Sequence, residues 1–301
     1  MATTATTSAE SVAGDAVSRL AFFVKVSRPG LWATSAWFYL LPLGRHNVFH
    51  STAFWLGLVY VTLPLGFIIY GWNDVVDREA DRLNPRKGTF LFGARGTREQ
   101  LAALPARIAV MQALFLAIFY WLDGPRMLLW FAGLAGFSAL YNWPRYGLKS
   151  RPPFEILNQA GYLLVFVLSS WLNHVPQLSW SAMLFGALFA MHSHVFGEIM
   201  DFEPDRASGR STTTTKIGVV PAKFLIAALL LIESALVYTH FKDAWIAGFL
   251  ACGMVWFLLD ATLLWKARAY SIGQMRFFLL AWNMIALASM PWVWSSASLS
   301  R

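Results

Sequence analysis

Apolar runs of about twenty residues recur along the chain, separated by mostly short polar segments. A helix that crosses a bilayer needs about 20 mostly apolar residues. Nine segments meet that need: 30–48, 53–72, 101–122, 125–142, 154–173, 178–199, 221–240, 243–265 and 275–296. The pattern predicts an all-α, polytopic membrane protein with nine transmembrane helices. Pro42, Pro64 and Pro105 fall within or near these runs, where membrane helices tolerate proline better than soluble ones do. The first 18 residues are small and polar and lack the basic-then-apolar order of a cleaved signal. They read as a disordered tail, leaving 19–301 as one transmembrane domain.

Composition agrees. Hydrophobic residues make up 57% of the 301 positions and charged residues only 13%, against about 25% in soluble domains, which excludes a reading as two soluble domains. The polar segments alternate in charge. If the N-terminus and every second loop lie on one side, that side collects 20 of the 24 basic residues, leaving Arg45, Arg126, Lys242 and Arg301 opposite. The positive-inside rule then places the N-terminus and the large loops in the cytoplasm and the C-terminus across the membrane. The net charge of +8 thus points to anionic headgroups rather than nucleic acid. A lone cysteine, Cys252, excludes an intrachain disulfide and argues against a cysteine metal site. Many of the 15 tryptophans, such as Trp32, Trp72, Trp143 and Trp294, fall near span ends, as in an interfacial belt.

The acids are distributed unevenly. There are only 16, yet Asp74, Asp77, Glu79 and Asp81 share the stretch GWNDVVDREADRLNPRKG at 71–88. On a helix, Asn73, Asp77 and Asp81 share one face, since residues four apart do so. A second cluster follows the sixth span, where Glu198, Asp201 and Asp205 again fall on one face, with Pro204 expected to bend or end the helix. Both clusters lie on the same predicted membrane side. Carboxylates this dense repel one another and resist dehydration, and a divalent cation relieves both problems. Mg²⁺ prefers oxygen ligands and joins one or two carboxylates to phosphate oxygens. Two such clusters facing each other are therefore candidates to grip a diphosphate through bridging Mg²⁺. Arg86, Lys87, Arg145, Lys149, Arg210 and Lys216 are the candidate cations for a bound diphosphate.

Other polar residues carry weaker signals. Asp74 flanks the first face as an accessory, while Glu79 and Glu99 fall off it and read as solvated. His192 and His194 are two apart and so lie on different helix faces, which argues against a paired metal site; His194 shares a face with Glu198. In LYNWPRYGLKSRPPFEILNQAG (140–161), Tyr141 precedes three cations, and Asn158 and Gln159 lie one turn into the next span. A polar amide in a span turns to a cavity or to a hydrogen bond between helices. Tyr141, Asn158, His194 and Glu198 are thus candidates to face the substrate.

These residues carry a resemblance. The chain resembles the UbiA superfamily of intramembrane prenyltransferases, whose N-x-x-x-D-x-x-x-D motif is met by Asn73, Asp77 and Asp81. Its second motif, D-x-x-x-D with a small-residue and threonine loop, is met by Asp201, Asp205, Gly209, Thr213 and Gly218. Tyr141, Pro144, Arg145 and Lys149 resemble the segment between them, and SRPGLW at 27–32 resembles the family's first-helix start. One departure stands out: many members follow the first motif with an Arg-Pro pair, absent here from NPRKGTFLFGARG, so that Arg86, Lys87 or Arg95 would take over the diphosphate contact.

The resemblance implies a helical bundle around a central cavity and an isoprenyl diphosphate bound through Mg²⁺ between the two motifs, with Asn73, Asp77, Asp81, Asp201 and Asp205 as the metal ligands and catalytic residues. The diphosphate would leave an allylic cation, shielded by aromatic faces in a cavity closed to water, and a lipophilic acceptor would attack it. The UbiA-type terpene cyclases, in which the substrate's own double bond attacks, form the nearest alternative. A transporter is the remote one: it would use acids near mid-span, and only Glu233 and Asp260 qualify, both of which read better as partners of polar groups between helices.

Overall fold

The computed structural model describes residues 18–300; the expected tail lies outside the described residues except for Ser18. Every named element is helical, and the extended pairing among the described residues is an isolated bridge between Thr89 and Gly93. The longer helices are α1 (Trp32–Leu40), α2 (Thr52–Val76), α3 (Arg98–Asp123), α4 (Arg126–Asn142) and α5 (Phe154–Leu172). They continue with α6 (Trp180–Met200), α7 (Val219–Phe241), α8 (Ala244–Thr262) and α9 (Ile272–Ser296). Local chemistry explains where they begin. Thr97 and Gln100 form a reciprocal cap on α3, as Ser271 and Gln274 do on α9, while Ser51, Ser179 and Asp243 cap α2, α6 and α8. Each cap satisfies amide groups that the first turn leaves unpaired.

Seven of the helices, α2, α3 and α5 to α9, are long and apolar enough to cross a membrane, and the protein is a multi-pass integral membrane protein. The other two expected spans fall short. Segment 30–48 becomes a nine-residue α1 between two 3-10 turns, the second containing Pro42, and gives way to turn and coil from Gly44. Segment 125–142 becomes the 17-residue α4, about 26 Å of helix by its rise against about 30 Å of hydrocarbon. Among the tryptophans expected at span ends, Trp143 is exposed, while Trp32, Trp72 and Trp294 are half-buried. Trp121, Trp180 and Trp245 stand out from other helix ends.

Aromatic packing joins the helices. The Tyr39 hydroxyl of α1 donates to the Phe54 carbonyl of α2 at 3.2 Å and accepts from Asn173, just past α5, at 3.0 Å. That approach requires glycine at 57, where a Cβ would sit 2.1 Å from the Tyr39 hydroxyl. On α2, Pro64 is followed by a π-turn over Phe67–Gly71. Gln112 of α3 bridges this region, accepting from Tyr60 at 2.6 Å and donating to the Pro64 carbonyl at 2.9 Å. Such wide turns follow a break in the helical ladder, and this one lies one turn before Asn73.

The two mid-span acids are structural. Glu233 of α7 meets His192 of α6 at 2.6 Å. Asp260 of α8 meets Lys223 of α7 at 2.8 Å and accepts the Tyr270 hydroxyl, and Lys223 also donates to the Lys266 carbonyl at 2.7 Å. Glu233, Asp260 and Lys223 are fully buried, so the acids that favoured a transporter are paired between helices. Breaking such a pair strands a buried charge, at a cost of about 3–5 kcal/mol. Asp260→Ala should therefore lower the thermal unfolding temperature in detergent sharply. The apolar double variant Lys223→Met/Asp260→Leu should lie closer to wild type, and equal losses in the two would contradict this account.

Candidate active site

Both aspartate motifs sit where a long helix breaks. Helix α2 ends at Val76, Asp77 adopts φ −92° and ψ 11°, and a short helix follows over Arg78–Leu83. Helix α6 ends at Met200, Asp201 adopts φ −97° and ψ 5°, and a short helix follows over Phe202–Ala207. The repeat of carboxylates four apart is thus a repeat of the same backbone break. The first motif bends at its middle aspartate rather than running straight over two turns. In the second the break comes at Asp201, and Pro204 sits in the first turn of the short helix, where its missing N–H removes no helical bond.

The two breaks face one cavity of about 330 Å³. Its polar end is lined by Asn73, Asp77, Asp81, Glu198, Asp201 and Asp205, with the cations Arg28, Arg86, Lys87, Lys149 and Arg210. Its apolar end is lined by Phe38, Leu134, Val165 and Phe189, with Trp282 from α9. The Phe189 ring stacks on Trp37 at 5.8 Å and 7°, and Phe38 on Phe166 at 4.8 Å and 10°, so this wall is continuous with the core.

An ion-pair network fills the polar end. Asp77 is held by Lys149, from the loop after α4, and by Arg210 at 2.6 Å. Arg210 also lies 3.3 Å from Asp205, so one guanidinium joins the two motifs. Arg86 grips Asp201 through Nε at 2.8 Å and through Nη2, while Asn84 donates to the same carboxylate at 2.6 Å. Lys87 lies 2.8 Å from Asp81 and 2.6 Å from Asp74, and Arg28 lies 3.2 Å from Asp74. Burial alone would raise the Asp201 carboxyl, but Arg86 and Asn84 hold it below the usual carboxylate range. Asp205 goes the other way. Burial, with the charges of Asp201, Asp77 and Glu198, pushes it up to about 7 against the pull of Arg210. Burial also raises Asp81 and lowers Lys149, each opposed by its ion-pair partner. Burial is the first cause of the shifts at Asp81, Lys149 and Asp205: the carboxylates and their cations are packed where water does not solvate them.

These donors fit Mg²⁺. They are hard oxygens, Asn73 Oδ1 is buried without a hydrogen-bond partner, and the Asp205 carboxyl resists ionisation as matters stand. Among the described residues no three acidic, histidine or cysteine side chains form a ready-made metal cage, and Mg²⁺ does not require one, because it keeps waters and shares phosphate oxygens.

Two expected cations lie elsewhere. Arg145 is exposed, its guanidinium 5.4 Å from the Tyr146 ring, and Lys216 is exposed at the end of a short helix over Thr213–Ile217; neither lines the cavity. Tyr141, Asn158, His194 and Glu198 all line it. Glu79 is exposed beside Arg82, and Glu99 is exposed in the first turn of α3. Asp74 is buried outside the cavity lining, as the anchor of Lys87 and Arg28. Of the three cations that might replace the missing Arg-Pro pair, Arg86 and Lys87 line the cavity and Arg95 turns away to the Asn84 carbonyl.

Sequence reasoning missed several groups. Arg28 lies 4.5 Å from the Tyr70 ring, and the Tyr70 and Tyr162 hydroxyls meet at 2.9 Å in the cavity wall. Glu155 is fully buried and accepts the Thr213 backbone N–H at 2.6 Å, fixing the threonine loop. A signal existed for Asn84, which directly precedes PRKG, and for Glu155, an acid just inside a span.

The comparisons with known proteins follow this geometry. The chain matches the UbiA prenyltransferase family over residues 31–294. It belongs to that family. Among curated relatives, a lycopene elongase/hydratase from Corynebacterium glutamicum is 29% identical over 255 residues, covering 82% of this chain and 86% of that protein. Another lycopene elongase/hydratase, from Halobacterium salinarum, is 32% identical over 187 residues, covering 58% and 62%. Among solved structures, a UbiA homolog from Archaeoglobus fulgidus bound to DMAPP and Mg²⁺ aligns with a TM-score of 0.68 at 16% identity, covering 90% of this chain and 98% of that one. Its complex with GPP and Mg²⁺ aligns with a TM-score of 0.65 at 17% identity, over 93% and 99%.

A hydrogen bond to a charged group is worth about 1.5–3 kcal/mol, or roughly 10- to 150-fold in affinity. Arg210→Ala should weaken binding of magnesium diphosphate by about tenfold or more on that scale. Arg145→Ala and Lys216→Ala should leave it within about twofold, as distant exposed charges do. Isothermal titration of the purified protein tests both halves, and a large loss in either of the latter two would return those cations to the site.

Proposed function

We propose that the protein is a Mg²⁺-dependent intramembrane prenyltransferase that ionises a short isoprenyl diphosphate and transfers the prenyl group to a lipophilic acceptor, an acyclic carotenoid polyene. The observation that carries this reading is the cavity itself. Two aspartate helix breaks, joined through Arg210, face each other across its polar end, and aromatic side chains line the other. The polyene acceptor rests on the relatives, which act as lycopene elongase/hydratases by name.

In this reading Asn73, Asp77, Asp81, Asp201 and Asp205 hold Mg²⁺. Bound there, the metal draws negative charge off the departing diphosphate. Arg86, Lys87, Lys149 and Arg210 exchange their aspartate partners for diphosphate oxygens, which is why each cation already stands beside a ligand. Phe38, Phe189 and Trp282 exclude water from the allylic carbon, and aromatic faces stabilise its positive charge. Nine spans within a single domain over 19–301 complete the proposal, with α1 and its flanking turns and α4 as the short ones. The basic-residue asymmetry puts the N-terminus and both aspartate motifs in the cytoplasm.

The test is purified protein with dimethylallyl diphosphate and Mg²⁺, with and without lycopene, read by mass spectrometry. Elongated polyene that appears only when lycopene is present supports transfer, whereas a cyclic terpene made without it supports the cyclase. Asp77→Ala and Asp201→Ala should abolish Mg²⁺-dependent turnover while the protein stays folded. Full activity in either variant would falsify the two-motif site.

A further inference from the structure

His194 and Glu198 stand apart from the network that ties the aspartates to lysines and arginines. On α6, His194 lies seven residues before Asp201, about 10 Å along the helix. Beyond Ser193, the next cavity-lining residues of α6 toward the interior, Ala190 and Phe189, are apolar. His194 therefore sits at the border between the polar end and the aromatic wall, at the level where a bound prenyl chain leaves its diphosphate. Its Nε2 lies 3.2 Å from Glu198 Oε1. Glu198 is 5% exposed, and its other oxygen accepts the Thr214 backbone N–H at 2.9 Å. The Tyr141 ring stands edge-on to the imidazole at 6.1 Å. A buried carboxylate beside one ring nitrogen orients an imidazole and leaves the other nitrogen to accept a proton. On the prenyl-transfer reading the aspartates of the cavity are taken up in holding the metal, so none of them is free for that role.

We propose that His194 is the catalytic base that closes the reaction, with Glu198 as its positioning residue; this rests on the prenyl-transfer reading above. The allylic C–O bond breaks and its electron pair leaves with the diphosphate. The acceptor's π pair forms the new C–C bond and leaves a cationic carbon on the acceptor. His194 Nδ1 then takes a proton. If it comes from the adjacent C–H, that bond's pair closes a new double bond. If it comes from water, the water oxygen bonds to the cationic carbon and an alcohol results. Asn142 Oδ1 and Ser193 Oγ line the cavity, buried and without hydrogen-bond partners, and unpaired polar atoms of this kind are where a buried water is held.

The experiment uses the full-length protein in detergent with dimethylallyl diphosphate, Mg²⁺ and lycopene, measuring diphosphate release and product mass in ordinary and ¹⁸O water. General-base catalysis is worth about 10²–10⁴-fold, so His194→Ala should lower kcat by about 100-fold or more with KM for the diphosphate substrate little changed. Added imidazole should restore about tenfold or more of that loss, which a packing defect would not allow. His194→Gln, which keeps a hydrogen-bond donor for Glu198, replaces the alanine variant if the latter does not fold, and should show the same kcat loss. Glu198→Gln should lower kcat about tenfold, and adding it to His194→Ala should cost little more, because residues acting as a unit are not additive. In wild type, ¹⁸O in the product identifies water as the proton source, and its absence identifies the C–H bond. Wild-type kcat in His194→Ala, or a loss confined to KM or unrelieved by imidazole, overturns the proposal. If wild type instead makes a terpene from the diphosphate alone, the polyene reading fails by itself. Imidazole-rescuable loss of that terpene in His194→Ala then still supports the base, and an undiminished yield overturns it.

Discussion

The contact on which the site depends is the neutralisation of Asp77. This carboxylate is buried at the break that ends α2, and its two counter-charges come from distant parts of the chain: Lys149 from the loop after α4 and Arg210 from the loop after α6. A buried carboxylate without a partner is costly, so both loops must close over the end of α2 for the bundle to be stable. The loop that brings Arg210 also brings Asp205, and Glu155 pins the threonines that follow it. The contacts that neutralise Asp77 are therefore also the contacts that hold the second motif opposite the first. The crowding of buried carboxylates that results is greatest at Asp205, which burial and three neighbouring carboxylates push up against the pull of Arg210.

Much of this was legible in the sequence because two periodicities survive folding. Apolar runs of about twenty residues map onto helices, and carboxylates at a spacing of four map onto one side of a cavity. The less legible parts are those where direction matters more than composition. Arg145 and Lys216 lie in the right loops and are the right residue type, yet both side chains reach solvent. Lys149, four residues beyond Arg145, turns inward from within a 3-10 turn over Leu148–Ser150 that no hydrophobic pattern announces. Asn84 and Arg28 were missed for the same reason, since their partners Asp201 and Asp74 lie 117 and 46 residues away. The short α1 and α4 were overestimated because hydropathy registers apolar residues whether they lie in an α-helix or in the 3-10 turns and loops beside it.

The aromatic half of the cavity is tied to the core in a way that bears on the chemistry. Phe189 and Phe38 pack against each other and against Trp37 and Phe166 behind them, while Trp282 of α9 closes over Phe189 at 5.2 Å. Rings held on several sides cannot rotate away to admit water. A carbocation survives only where the nearest nucleophile is the intended one, so the rigidity of the wall is part of selectivity as well as stability.

Buried ion pairs of two kinds occur among the described residues, and comparing them separates structure from function. Lys223 and Asp260 join two long helices, and their remaining bonds go to Tyr270 and the Lys266 carbonyl. Nothing there is shared, and neither group lines the cavity. The pairs of the site join helix breaks to loops. Arg210 is divided between two aspartates and Lys87 between two more, while Asn73 Oδ1 lacks any partner. A saturated pair loses energy under any rearrangement, whereas a divided cation facing an underused acceptor can change partners at little net cost. That capacity for exchange, more than the number of charges, is what the proposed binding of a metal and an anion together would draw on.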